Sequence, residues 1–349
     1  MSSYKEDILA VTSDQNLPWQ MLQGRNIMVT GATGLIGSCL VEILLQKKVE
    51  GCNVYAFGRN ESRAKERFAD YWDRSDFHFV KADVISPLES DITFHYIVHA
   101  ASNASPNFFV NNPVDVMLSN LQGVQNLMNY GLKHSLERFL FVSSGEVYGE
   151  GDGREFTEDY SGKVDSMSPR SCYPSSKRAA ETLCASYASQ YQVHASVARL
   201  SHTYGPYFTE SDNRVYAQFI RNVLNEEDIV LKSKGEAFRS WCYVVDSAKA
   251  LLYVLMKGES GLAYNVADAT SNISIRDLAE MVARIANRKV IFQLPDEEAQ
   301  KQQTFITKAV FNTLRLESLG WSVNGKMADK MAATIEEERL RKSSLHSAK

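Results

Sequence analysis

The chain has 349 residues, of which 44% are apolar and 23% charged, and its net charge is −4. That is the composition of a globular protein with ample core, built as one large or two ordinary domains, and it offers no basic field for nucleic acid. The N-terminal Met1-Ser2-Ser3-Tyr4-Lys5-Glu6-Asp7 is polar and acidic and no apolar run reaches about 18 residues, so neither a secretory leader nor a membrane span is expected. Cys39, Cys52, Cys172, Cys184 and Cys242 are odd in number and lack metal-ligand spacing, which predicts reduced thiols in a cytoplasmic protein and no metal site.

Asn26-Ile27-Met28-Val29 reads as a short buried strand. Thr30-Gly31-Ala32-Thr33-Gly34-Leu35-Ile36-Gly37 follows at once, and residues 38–45 are apolar enough for a covered helix. Strand, glycine turn and helix in that order are the context a dinucleotide fingerprint requires. Gly31 permits the tight turn, Gly34 lets the backbone approach a pyrophosphate, and Gly37 lets helix and strand pack closely. The unpaired N–H groups at the helix N-terminus face the phosphates.

Further strands are predicted over 54–57, 77–80, 96–99, 139–142 and 195–198, with amphipathic helices over 62–72, 113–134 and 173–191. This alternation predicts an α/β fold with a Rossmann-type doubly wound parallel sheet. Ligands bind beyond the carboxyl ends of such strands, where Ser102, Ser144 and the segment after Arg199 all fall. From Ser201 the pattern changes. Short strands at 229–233 and 289–293 and helices at 275–288 and 325–341 suggest a smaller, mixed α/β substrate domain made from 201–235 and 262–349. Residues 236–261 would return to the first domain, 1–200, and residues 339–349 would fray.

The chemistry is carried by Ser143-Ser144-Gly145-Glu146-Val147-Tyr148-Gly149 and by Tyr173-Pro174-Ser175-Ser176-Lys177. Tyr173 and Lys177 share one face of a helix, so an ammonium can sit beside the phenol and lower its pKa toward neutral. The Ser144 hydroxyl, at a strand end, would hold a substrate alcohol against that phenol while a hydride leaves the alcohol carbon. The Tyr-x-x-x-Lys spacing alone is weak, and it gains force from the glycine turn in the same chain. Ordinary roles suit other residues. Arg63, Lys65 and Arg67 read as the solvated face of a helix, His99 as a packing residue, and Phe108-Phe109 as packing beside the cleft.

Together these residues resemble the extended short-chain dehydrogenase/reductase family of sugar-nucleotide epimerases, dehydratases and decarboxylases, over about residues 24–338. Asp83-Val84, His99-Ala100-Ala101-Ser102, Asn120-x-x-Gly123, Arg199-Leu200-Ser201-His202-Thr203-Tyr204-Gly205-Pro206 and Leu319-Gly320-Trp321 add to the likeness. Asp83-Val84-Ile85-Ser86-Pro87-Leu88, Ala104-Ser105-Pro106 and Pro169-Arg170-Ser171-Cys172-Tyr173 are similar to its UDP-glucuronate decarboxylase branch. The resemblance implies a nucleotide-sugar substrate, oxidised at C4 by a recycled NAD(P), with Ser144, Glu146, Tyr173 and Lys177 as catalytic residues. It places Gly31, Thr33, Gly34, Leu35, Ile36, Gly37, Arg59, Asp83, Val84, Ala100, Ala101, Ser102 and Asn120 on the cofactor, with Tyr173 and Lys177. Ser105, Gly145, Arg170, His202, Arg214 and Arg239 would meet the substrate.

The resemblance implies decarboxylation of a uronic acid ahead of 4,6-dehydration or 4-epimerisation. Family members with Glu at the position of Glu146 are mostly dehydratases and decarboxylases, and the dehydratases often carry an Asp where this chain has Gly145. A net 4-keto-sugar reductase and a non-catalytic cofactor-binding protein are the remaining alternatives. Three departures stand out: His202 replaces a substrate-contacting Asn, Gly145 replaces the usual Ser of the decarboxylases, and Gly58-Arg59-Asn60 stands where an acid should meet the adenosine ribose. Arg59 suits a 2′-phosphate, which would favour NADP, or an adenine face. The resemblance implies NAD, the usual recycled cofactor of the family, with NADP as the alternative. A homodimer pairing through the helices at 113–134 and 173–191 is also implied.

Overall fold

The computed structural model describes residues 3–102, 104, 106–294 and 308–347. Its large sheet has seven parallel strands: β1 Asn26–Thr30, β2 Asn53–Gly58, β3 Phe77–Lys81, β4 Tyr96–His99, β5 Arg138–Ser144, β6 Ala195–Leu200 and, after three strands outside it, β10 Ala263–Val266. Their spatial order is β10-β6-β5-β4-β1-β2-β3. The sequence reverses direction between β1 and β4, and a crevice opens there at the carboxyl ends of the strands.

The strands are short and apolar because both faces are covered. Ile27 and Val29 of β1 pack with the core under α2 (Leu35–Lys47) and α8 (Val244–Lys257). Met28, facing the other way, packs with residues of α5 (Pro113–Lys133) and α6 (Cys172–Tyr191). The alternation of a strand's side chains thus divides one sheet between two helical layers. An N-terminal helix, α1 (Tyr4–Thr12), lies on α2 and α8 and is capped by Ser3, which bonds the Glu6 amide while the Glu6 carboxylate bonds back.

A second sheet stands beyond these strand ends. It joins β7 (His202–Tyr204), β9 (Phe238–Tyr243), β11 (Asp268–Ser274) and β13 (Lys308–Ala309), while β8 (Ile229–Leu231) pairs with β12 (Val290–Phe292). Strand β6 ends at Leu200 and β7 starts at His202; β10 ends at Val266 and β11 starts at Asp268. Two strands of the large sheet therefore run straight into the small one, which fixes the second sheet over the crevice.

Several expected boundaries fall elsewhere. Residues 263–266, expected in the smaller unit, form the seventh strand of the large sheet beside β6. Asn265 hides that strand in the sequence, because it is polar yet buried, with its amide donating to the Phe156 and Asn312 carbonyls. The C-terminal helix runs from Met327 to Ser347, beyond the point where fraying was expected. The five cysteines are buried and unbridged, and among the described residues no helix is long and apolar enough to cross a membrane.

Candidate active site

The glycine turn follows β1 as predicted, and sterics explain its composition. Gly31 has φ 67°, and a Cβ there would lie 2.7 Å from the Ala100 carbonyl oxygen. A Cβ on Gly37 would lie 2.3 Å from the Gly31 carbonyl oxygen. No side chain caps α2 at Gly34, so the amides of its first turn stay open to a ligand. They border a cleft of about 800 Å³ that also meets Thr33, Leu35 and Ile36.

Asp83, Val84, Ala100, Ala101 and Ser102 line the cleft along the next strand ends. Buried Thr30 shapes this wall: its hydroxyl accepts from the Ala101 amide (3.2 Å) and meets His99 Nδ1 (2.8 Å). Burial, with Lys177 nearby, pushes the His99 pKa down to about 3, so its imidazole is neutral. Asn120, expected on the cofactor, does not line the cleft. It is fully buried, accepting from the Ser102 hydroxyl (3.0 Å) and donating to Ser176 (2.9 Å), and so it holds the wall from behind.

At the ribose end, Arg59 lies 3.6 Å from Asp83, and Asn60 caps α3 (Glu61–Arg67) by accepting from the Arg63 amide. The solvated-face expectation holds for Lys65, which pairs with Glu61, and for the exposed Arg63, but not for Arg67. Arg63 lines the cleft, and Arg67 turns inward to Glu42 (2.5 Å) and lies over the Tyr207 ring at 3.9 Å. A chain segment far away in sequence covers that helix face.

At the opposite end, Ser144 closes β5, and Tyr173 and Lys177 project from α6 into the same cleft. Tyr173 is buried, stacks on Phe109 with ring centroids 4.5 Å apart, and has the Ser144 and Ser102 hydroxyls beside its phenol. Lys177 Nζ donates to the Val142 carbonyl (2.9 Å) and lies 5.7 Å from the centre of the Tyr173 ring. The expectation that the ammonium lowers the phenol pKa does not hold in this structure. Burial and then the Glu146 charge raise the Tyr173 pKa above its usual value, and burial pushes Lys177 down to about 7. Both groups sit in one dehydrated corner, where each favours its neutral form.

Glu146 and Arg170 pair with each other through two contacts of 3.0 and 3.1 Å, and Arg170 covers Phe109 at 4.9 Å. Neither lines the cleft; they stand at its margin, partly open to solvent. Gly145 is closed off by Phe311, whose Cζ would lie 2.0 Å from a Cβ on residue 145. On the second sheet His202 packs against Trp241 (5.2 Å), and the protein packed around it, with Arg239 and Arg214 nearby, lowers its pKa. Arg214 lines the cleft and forks onto Asp212, and Arg239 donates to the Phe238 carbonyl. Ser105 lies outside the described residues. The cleft also takes Ser201, Thr203 and Ser211, small polar residues that carry no motif signal.

Residues 27–267 match the model of the NAD dependent epimerase/dehydratase family. UDP-glucuronic acid decarboxylase 6 of Arabidopsis thaliana is 32% identical over 90% of this chain and 89% of its own length. Among solved structures, UDP-glucose 4-epimerase of Thermotoga maritima with UDP-glucose superposes with a TM-score of 0.76 at 22% identity, covering 91% of this chain and 99% of that one. The dTDP-glucose 4,6-dehydratase of Bacillus anthracis in complex with NAD does so with a TM-score of 0.76 at 22% identity, covering 91% and 98%. At that identity the two structures speak for the fold alone.

Proposed function

The chain belongs to the NAD dependent epimerase/dehydratase family, and from that premise we propose that it decarboxylates UDP-glucuronate with NAD regenerated in each turnover. The observation that carries this reading is the meeting of the Ser144 hydroxyl and the Tyr173 phenol in the cleft that begins at the glycine turn. The cleft fits the dinucleotide: glycines 31 and 37 leave no room for a Cβ, and the open first turn of α2 suits a pyrophosphate. Arg59 already faces Asp83, which counters its pull on a 2′-phosphate and supports NAD over NADP.

NAD, held along the glycine turn and the open first turn of α2, would supply the hydride acceptor for C4 of the sugar and the hydride for its later reduction. Ser144 orients the C4 hydroxyl and Tyr173 takes its proton, leaving a 4-keto sugar. The C5 carboxylate is then that of a β-keto acid and leaves as CO2 without a proton donor at C6. The electron pair of the broken bond passes to an enolate across C4 and C5, which takes a solvent proton at C5 to give back the ketone. Gly145 brings no acid, and the Phe311 ring fills the space where one would stand. That favours decarboxylation over loss of a C6 hydroxyl, in keeping with the relatives named as decarboxylases. Arg214 and Arg239 would hold the nucleotide diphosphate, where guanidinium forks suit phosphate, and His202 would meet the substrate.

Incubation with UDP-glucuronate should lower its mass by that of CO2 with no net NADH. An isobaric product would instead make the enzyme a 4-epimerase, and loss of water from a nucleotide hexose a 4,6-dehydratase. Stoichiometric use of cofactor would make it a net oxidoreductase. The second sheet acts as the nucleotide-sugar side of the cleft. Two protomers pair through α5 and α6, a reading supported by the exposed Val114, Met117 and Leu118 of α5. A monomer in light scattering at micromolar concentration would overturn the dimer.

A further inference from the structure

Directly behind the proton-transfer pair lies a buried carboxylate that no part of the mechanism has used. Glu181 follows Lys177 by one turn on the same face of α6. Its Oε1 accepts from the hydroxyl of Ser143, the residue that precedes Ser144 at the end of β5 (2.5 Å). Arg199 of β6 donates to both carboxylate oxygens, through Nε at 3.1 Å and Nη2 at 2.7 Å. The two side chains are only 11% and 15% exposed, so each charge has been withdrawn from water. Arg199 is itself held by the Glu158 carbonyl (2.7 Å) and the Tyr148 hydroxyl (3.2 Å).

We propose that Glu181 is a positioning residue of this site, whose carboxylate fixes the end of β5 beside Ser144 and opposes loss of the Lys177 proton. The proposal rests on reading Tyr173 and Lys177 as the proton-transfer pair. A bond between Glu181 and Arg199 alone would tie α6 to β6, but the third bond, from Ser143, reaches the strand end that carries the catalytic hydroxyl.

The surroundings of Lys177 explain the second half. On its own helix it meets Tyr173, Glu181 and Cys184, and on β4 it meets His99. Burial holds the Tyr173 phenol and the Cys184 thiol protonated and the His99 ring neutral. Phe141, under the ammonium at 4.5 Å, offers only its ring face. Glu181 is thus the one anion among these neighbours, and it opposes the desolvation that drives Lys177 toward the free amine. Arg199 reaches this corner by way of the Glu181 carboxylate.

The test uses the full chain without cofactor, labelled with 15N-lysine, and follows the Lys177 Nζ resonance against pH, assigned by its absence in Lys177→Met. The midpoint should fall by about one pH unit or more in Glu181→Gln and move little in Glu181→Asp. With UDP-glucuronate and NAD, the alkaline limb of the kcat profile should move to lower pH in Glu181→Gln while KM changes less than about twofold. Arg199→Met provides an independent arm, because it leaves the carboxylate without its guanidinium and should raise the midpoint. Midpoints that stay put in folded Glu181→Gln and Arg199→Met, with only the melting temperature lowered, would reduce Glu181 to a structural residue and overturn the proposal. If Tyr173→Phe retained turnover, the reading of the site would fall instead, while the resonance would still report whether Glu181 sets the charge on Lys177.

Discussion

The ring of Phe311 rests on the backbone of Gly145, so close that a Cβ on residue 145 would lie 2.0 Å from its Cζ. Phe311 is 4% exposed, meets Tyr148 edge-on, and is anchored by its amide, which donates to Ser240 Oγ (3.0 Å). A ring held on several sides has nowhere to retreat. Gly145→Ser should therefore cost about 1–3 kcal/mol by overpacking. Adding Phe311→Leu should recover part of that loss, and a double-mutant cycle in urea would measure the coupling. Full additivity of the two changes would show that the contact is not what constrains residue 145.

Tyr173 is the proposed proton acceptor, and its ring stacks on Phe109. Tyr173→Phe should keep the stack and NAD affinity while turnover falls by about two to four decades. Calorimetric titration with NAD and a single-turnover assay separate the two effects. Near wild-type turnover would remove Tyr173 from the chemistry.

His99 predicts an acid-sensitive core. Its pKa is about 3 in the folded chain, against 6.5 for a free imidazole, because burial excludes the charged ring. Between those values the unfolded chain binds a proton that the folded chain does not. The neutral ring therefore contributes stability that is present above about pH 6.5 and is lost as pH falls toward 3, at up to about 1.4 kcal/mol per pH unit. His99→Gln should lower stability at neutral pH yet flatten its decline between pH 6 and 4. Urea midpoints across that range give the slope, and an unchanged slope would contradict the assignment.

Arg67 and Glu42 form a pair that is 10% and 9% exposed, with the Tyr4 hydroxyl joined to both. Removing the guanidinium leaves a buried carboxylate unpaired, so Arg67→Met should cost about 3–5 kcal/mol. Glu42→Gln in the same chain should restore much of it. Because Arg67 also covers Tyr207, and the chain after Tyr207 runs on to Thr209 and Arg214 on the cleft, Arg67→Met should also raise KM for the nucleotide sugar. Thermal unfolding and steady-state kinetics check both effects.

The sequence by itself determined the first six strands of the large sheet and the helices between them, the glycine turn, and the placing of Ser144, Tyr173 and Lys177 at one end of it. These features are local: strand and helix periodicity, glycine spacing and a helical repeat depend only on neighbours in the chain. Tertiary structure decided what local pattern does not encode. Residues 263–266 became the seventh strand because β6 had an open edge, and Arg67 became a core residue because Tyr4 and Tyr207 cover it. Phe311 closed the space at Gly145, Arg170 engaged Glu146, and Asn120 withdrew behind the cleft wall to hold Ser102. The charge states followed the same rule. The spacing of Tyr173 and Lys177 brings them together, but how much water the fold excludes from that corner, and which carboxylate it places behind the lysine, decides whether either is charged.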